Sequence, residues 1–274
     1  PRRRQLPVGT GLVELLSGQG IKSVMDTLKK ADNALVLLGN IAGRHAGLST
    51  VRALAADIAG KTRAKLGTLS PGANSAGLCL AGVLPGAGGQ HAGAMLDRSL
   101  DAVMLLNVEP DKDLHATRDA VAKLASQAFV IALTPFSSES LRETADLLLP
   151  IGTSFETSGT FVNVEGRWQS FAGVANPVGE ARPAWKVLRV LGNLTGAPGF
   201  EYLSTEEVRD ELQAALGEIA PASYAGKAKP GKLNGEDAPE AEIDTPIYSV
   251  DSLVRRAKAL QLTAAARRAA GESD

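Results

Sequence analysis

Between residues 34 and 150, short and almost wholly apolar runs alternate with amphipathic segments, which leaves few folds open to the chain. ALVLLGN (34–40), AKLGTLSP (64–71), DAVMLLNVEP (101–110), AFVIALTPF (128–136) and DLLLP (146–150) have strand length. Strands without a polar side belong in a parallel sheet covered on both faces, because a solvated face would impose alternation. In LSTVRALAADIAG, Leu48, Val51, Leu54, Ala55 and Ile58 recur at helical spacing, with Gly60 as the expected stop. GANSAGLCLAGVL and DLHATRDAVAKLAS also read as helices, as does SSESLRETA with Ser137 or Ser138 as N-cap. Right-handed crossovers then predict an α/β fold over residues 1–150: a Rossmann-like, doubly wound, mostly parallel sheet.

The pattern changes after residue 150. TFVNV and RWQSF flank a glycine turn and predict a β-hairpin extension. ARPAWKVLRVLGNLTG predicts a helix starting near Pro183 with Trp185, Leu188 and Leu191 on one face. STEEVRDELQAAL predicts another, with Ser204 and Glu207 in capping-box spacing. Residues 151–217 are thus expected to complete the same domain. Residues 218–245, rich in Ala, Pro, Gly and charge, read as a linker or extended arm. Residues 246–274 read as a helical C-terminal tail, either docking on a partner through Val250, Leu253 and Leu260 or standing as a solvated basic segment.

Composition excludes several functions. With one cysteine, the chain by itself has no disulfide, no four-cysteine zinc site and no cysteine-ligated iron–sulfur cluster. Cys79, inside AGLCLAGVL, reads as a buried small hydrophobe. Lys and Arg number 29 against 30 Asp and Glu, so charge gives no reason to expect nucleic acid as a partner. No apolar run approaches the roughly 18 residues that cross a bilayer, so direct membrane insertion is not expected. PRRRQL is followed by glycines and Glu14 rather than a signal-peptide core. The chain opens on Pro1, not Met, and is expected to be a processed or truncated piece with a share of a larger function.

Two glycine-rich loops have the character of phosphate sites. GNIAGRHAG (39–47), with Gly39, Gly43 and Arg44, follows a strand and precedes a helix, where backbone N–H groups can meet an anion. Its glycines recur every four residues, however, which is not the dinucleotide fingerprint and suits a scaffold turn. LPGAGGQHAG (84–93), with Gly86, Gly88 and Gly89, also misses that spacing; it reads as a crevice border or a contact with another subunit. AADIAGKT (55–62) has the ending of a P-loop, but its GKT lies at the end of a helix, which contradicts the mechanism. His45, His91 and His115 lack metal-ligand spacing, so no metal site is expected.

FETSGTFVNVEGRWQ (155–169) gathers Glu156, Glu165 and Arg167 among glycines and aromatics. Two carboxylates and a guanidinium can serve as acid, base and anion clamp. Equally, a carboxylate–guanidinium pair can pin a hairpin to the sheet, the reading the residues themselves favour.

This stretch also carries a resemblance. From residue 145 the chain reads A-D-x-x-L-P and then E-x-x-G-T-x-x-N-x-E-G-R-x-Q, at Ala145, Asp146, Leu149, Pro150, Glu156, Gly159, Thr160, Asn163, Glu165, Gly166, Arg167 and Gln169. That pattern resembles the molybdopterin oxidoreductases. GEARPAW (179–185) and VDSLVRRAKALQLT resemble, within them, the large iron–sulfur subunit in the peripheral arm of NADH-quinone oxidoreductase, respiratory complex I. The resemblance implies the C-terminal part of that subunit, with its iron–sulfur clusters in an N-terminal half that this chain lacks. It implies no catalytic residue and no cofactor in this chain. Glu156, Gly159, Asn163, Glu165, Gly166 and Arg167 become structural motif residues. The implied partners are other peripheral-arm subunits of complex I, at the cytoplasmic side of a bacterial inner membrane. The alternative is a domain binding molybdopterin guanine dinucleotide, with Gly39, Gly43, Arg44, Gly86, Gly88 and Gly89 at its phosphates.

Overall fold

The computed structural model describes residues 19–43, 47–70, 72–98, 100–114, 122–126, 129–218, 226–231 and 247–269. The chain forms two compact units, one of residues 1–77, 162–167 and 218–243, the other of residues 78–161, 168–217 and 244–274. Arg44, His45, His115, part of the helix expected over DLHATRDAVAKLAS and most of 218–245 lie outside the described residues.

The first unit contains α1 (Gln19–Lys30), β1 (Leu35–Leu38), α2 (Asn40–Gly43), α3 (Leu48–Thr62) and β2 (Lys65–Thr68). β1 and β2 run parallel, in register from Leu35 opposite Lys65 to Leu38 opposite Thr68. A parallel pair needs a crossover, which α3 supplies. Its buried residues Ala53, Ala55 and Ala59 are small enough for close approach. Gly60 does not stop this helix. Lys61 pairs with Asp57 at 2.6 Å and the Thr62 hydroxyl donates to the Ile58 carbonyl at 2.7 Å, and these contacts hold the last turn together. The chain leaves the helix at Arg63, in the left-handed region at φ 59°.

The helix expected over GANSAGLCLAGVL is only α4 (Ser75–Leu80), and Cys79 is exposed rather than buried. Gly82 explains the early end of the helix. It takes φ +73°, and the Gly82 and Val83 amides fold back onto the Cys79 and Leu78 carbonyls at 3.1 and 3.0 Å.

The second unit contains α5 (Ala92–Leu96), β3 (Ala102–Leu106), α6 (Pro110–Asp113), β4 (Phe129–Thr134), α7 (Glu139–Thr144) and β5 (Leu147–Pro150). The hairpin strands β6 (Gly159–Val162), whose last residue counts with the first unit, and β7 (Trp168–Phe171) follow, then α8 (Ala184–Leu194) and α9 (Thr205–Leu216). The tail is a series of short helical turns: 3-10 turns at Ile247–Ser249 and Val254–Arg256, α10 (Lys258–Gln261) and α11 (Ala264–Ala269).

β3, β4 and β5 make a parallel sheet with β4 in the middle, Met104 opposite Ile131 and Ile131 opposite Leu147. Leu105, Val130 and Ala132 on one face pack with Leu124 and Leu141 into the core. The other face is open: Phe129 is 52% exposed and Met104 46%, and only Leu133, near the carboxyl end, is fully buried. The α/β fold with parallel strands is therefore present, as two short sheets, with β3–β5 covered along one face only. No closed barrel and no helix long and apolar enough to cross a membrane occur among the described residues.

Capping chemistry sets the helix starts. Ser138, not Ser137, caps α7 by accepting from the Leu141 amide at 3.3 Å. Ser204 caps α9 through the Glu207 amide at 3.2 Å, while the Glu207 carboxylate reaches back to the Leu203 amide at 2.7 Å. Pro183 is the N-cap of α8, and Arg182 just before it joins Ile151 in a parallel bridge that continues β5.

Candidate functional site

Within the motif that spans the hairpin, most side chains have a geometric task. The Glu156 carboxylate accepts from the Thr153 amide at 2.7 Å and from the Thr153 hydroxyl at 3.0 Å, which closes the loop after β5. At Gly159 a side chain would press on Phe171, whose ring tip lies 2.9 Å from where a Cβ would sit. Phe171 in turn meets Phe161 edge to face with centroids 5.1 Å apart. Thr160 and Ser170 share a hydroxyl hydrogen bond of 3.0 Å across the strands. Asn163 organises the turn: its side-chain oxygen accepts from the Glu165 and Arg167 amides, both at 3.0 Å. Gly166 supplies the positive φ, +79°, that the turn requires. Among the described residues Arg167 makes no ion pair; its backbone, not its guanidinium, takes part in the hairpin. The carboxylate–guanidinium brace expected here is not present among the described residues; Asn163 shapes the turn through its backbone amides instead.

The glycine loops fall in different units. Gly39 and Gly43 belong to the first, and a Cβ at either would meet nothing within 4 Å. Gly86, Gly88 and Gly89 belong to the second and form a tight turn, with the Gly89 amide on the Gly86 carbonyl at 2.9 Å and Gly88 at φ +81°. His91 caps α5, its Nδ1 accepting from the Ala94 amide at 3.2 Å.

Sequence reasoning missed the cluster at the carboxyl end of β3. Glu109, 5% exposed, accepts both forks of the Arg256 guanidinium at 2.8 Å. Arg255, its side chain 9% exposed, donates to Asp113 at 2.7 Å, and Asp113 accepts the Glu109 amide at 2.8 Å. Arg256 also stacks over Phe136, 4.1 Å from the ring centroid. Its pKa rises above the ordinary guanidinium value, chiefly through the hydrogen bond to Glu109, which outweighs the opposing effect of burial. A raised pKa stabilises below the unfolded value and is lost only as pH climbs past the folded one, so Arg256 stays charged across any physiological pH. The available signals were the acidic run EPDKD directly after a strand and the adjacent arginines in the tail.

Two cavities lie where the parallel strands end, the position at which open α/β sheets bind ligands. One, of about 210 Å³, is bordered by Leu106 and Asn107 after β3, Pro135 after β4, Gly152–Ser154 after β5, and Asp251 and Ser252 of the tail. The other, of about 530 Å³, is bordered by Glu109, Asp111, Lys112, Ser140, Tyr248, Arg255 and Arg256, among others. Both are closed on one side by the chain's own C-terminal segment. No group of three His, Cys, Asp or Glu side chains among the described residues is placed to hold a metal.

Parallel strands with helical crossovers and a crevice at their carboxyl ends define an α/β protein of the open parallel-sheet class. The profile of the family described as molybdopterin oxidoreductase matches residues 5–194, and the chain belongs to that family. It is 41% identical over 80 residues to the mitochondrial NADH-ubiquinone oxidoreductase 78 kDa subunit of Candida albicans, a match covering 28% of this chain and 10% of that protein. It is 35% identical over 80 residues to a protein named as a formate dehydrogenase of Staphylococcus aureus, covering 29% of this chain and 8% of that protein. The chain therefore spans about a tenth or less of the curated relatives it matches.

The family name implies a pterin cofactor, and the smaller of the two cavities does not fit an anionic dinucleotide. The smaller cavity is below the roughly 300 Å³ of ordinary ligand pockets, and its one charged lining residue, Asp251, is negative. In the larger cavity the cations Lys112, Arg255 and Arg256 balance the carboxylates Glu109, Asp111 and Glu139, with Arg255 and Arg256 engaged by Asp113 and Glu109 and Lys112 by Asp111. A pyrophosphate there would compete with carboxylates for both guanidinium groups, although the Arg255 Nε and the Ser140 hydroxyl are donors without a partner among the described residues.

Proposed function

We propose that the chain is the C-terminal structural and interaction part of the large iron–sulfur subunit of an NADH:quinone oxidoreductase. The observation that carries this reading is the crevice, bordered on one side by the chain's own tail, whose two arginines are committed to Glu109 and Asp113. The likeness to the NADH-ubiquinone oxidoreductase 78 kDa subunit supports it. In this role the chain binds no cofactor of its own. It packs against peripheral-arm subunits, at the cytoplasmic face of a bacterial inner membrane, and supports the part of the subunit that carries the iron–sulfur clusters. The complex transfers electrons from NADH to quinone and couples the transfer to proton translocation. Affinity purification from gently solubilised native membranes tests this: the chain is expected to bring down NADH-oxidising, quinone-reducing activity. Recovery without that activity, in a preparation where the activity survives in the flow-through, overturns the reading.

The likeness to a protein named as a formate dehydrogenase favours a second reading, an oxidoreductase domain holding a molybdopterin guanine dinucleotide. Denaturing protein purified from its own cells and recording pterin fluorescence separates the two. Stoichiometric pterin favours the second reading, and its absence the first.

A further inference from the structure

From the tail's geometry we infer that residues 248–261 are a built-in plug, seated in the crevice at the carboxyl ends of β3, β4 and β5 and latched there by Arg255 and Arg256. Three facts meet at this place. Asp251 and Ser252 border the cavity onto which β3, β4 and β5 all open. The adjoining Arg255 and Arg256 reach back 142 and 147 residues, to Asp113 at 2.7 Å and to Glu109 at 2.8 Å. The plug is also ordered internally around these contacts: the Asp251 carboxylate accepts the Leu253 and Val254 amides at 2.9 and 3.0 Å, and Gln261 donates to the Tyr248 and Val254 carbonyls at 3.0 Å.

The character of the joint is that of a latch rather than a hydrophobic core. Val250 remains 60% exposed, so apolar burial contributes little at that position. The ion-paired attachment is made by two guanidinium groups and two carboxylates, beside the half-buried Leu253, Val254 and Leu260. Beneath it, the Arg255 Nε, the Ser140 hydroxyl and one Asp111 oxygen are buried without a hydrogen-bond partner among the described residues. A seat with unsatisfied polar atoms is easier to leave than a fully satisfied one. The plug thus closes the crevice while the latch holds and uncovers the strand ends when it opens. Its closure does not depend on which oxidoreductase the chain serves.

Hydrogen exchange on the full chain tests it. In the Arg255→Ala/Arg256→Ala variant, exchange over 248–261 is expected to rise roughly tenfold or more, together with that of the crevice floor at 107–109 and 151–154, while β4 stays protected. The single variant Arg256→Lys keeps the charge but loses the two-pronged fork, and is expected to give a smaller rise over the same peptides. Unchanged exchange at 248–261 in the double variant overturns the latch. A freed tail over an unchanged crevice floor overturns the plug. If the double variant loses β4 protection as well, Arg256→Lys decides the question: a rise confined to the tail and floor supports the inference, and no rise overturns it.

Discussion

The β6–β7 hairpin and the cluster at the end of β3 both gather carboxylates and guanidinium groups, and they use them in opposite ways. In the hairpin the shape comes from backbone hydrogen bonds to Asn163, a positive-φ glycine at 166 and the space left at Gly159, with Arg167 outside any ion pair among the described residues. At the end of β3 the charges themselves make the structure: Glu109 and Asp113 hold Arg255 and Arg256 across more than 140 residues of chain. Charge near other charge thus says little about an interaction. Burial separates the cases, since Glu109 is 5% exposed while the Asn163–Arg167 hydrogen bond is at an exposed turn.

Removing Glu109 puts this contrast to its severest test. Glu109→Ala takes both carboxylate bonds from Arg256 and leaves Arg255 with Asp113 alone, and is expected to cost about 2–3 kcal/mol in urea unfolding. A loss under about 1 kcal/mol would falsify the claim that this pair differs in kind from surface ion pairs.

Gly159→Ala comes next. The added methyl must displace Phe171, which lies at 2.9 Å and is itself set against Phe161, so the change is expected to cost about 1–3 kcal/mol. Thermal unfolding of the variant checks it. An unchanged midpoint means the ring swings aside freely and the glycine has no packing role.

Local and distant features differ in how far the sequence reveals them. The five parallel strands are legible because an all-apolar run of strand length between helical segments leaves little else to form, and the hairpin is legible because its glycine turn is encoded locally. The extent of α4 is not, although its terminator Gly82 stands in the sequence, because helical composition continues past it. The β3–tail cluster is invisible for a more general reason. EPDKD and VRR are each ordinary surface patterns, and only the crossing of β3 with the tail places Arg256 on Glu109. Contacts separated by 147 residues carry no local periodicity to read.

Asn163→Ala is expected to have a smaller effect. It removes one acceptor shared by two amides, but both amides lie at an exposed turn where water replaces the lost partner. A loss of about 1 kcal/mol is expected, with faster exchange at Glu165 and Arg167. A cost as large as that of Glu109→Ala would mean that backbone hydrogen bonds at an exposed turn count for as much as the buried charge cluster.

Arg167→Gln is the smallest and the most discriminating. The resemblance to pterin oxidoreductases marks Arg167 as a motif residue, and charge bracing would make its loss costly. The structure gives its guanidinium no ion pair among the described residues, while the Arg167 amide and carbonyl, which glutamine retains, complete the turn with Asn163 at 3.0 and 3.2 Å. Stability of the chain is therefore expected to change by no more than about 0.5 kcal/mol. An unperturbed chain whose assembly or electron transfer is nonetheless impaired would locate the use of Arg167 in a contact made outside this fold. A destabilised chain would return it to the hairpin.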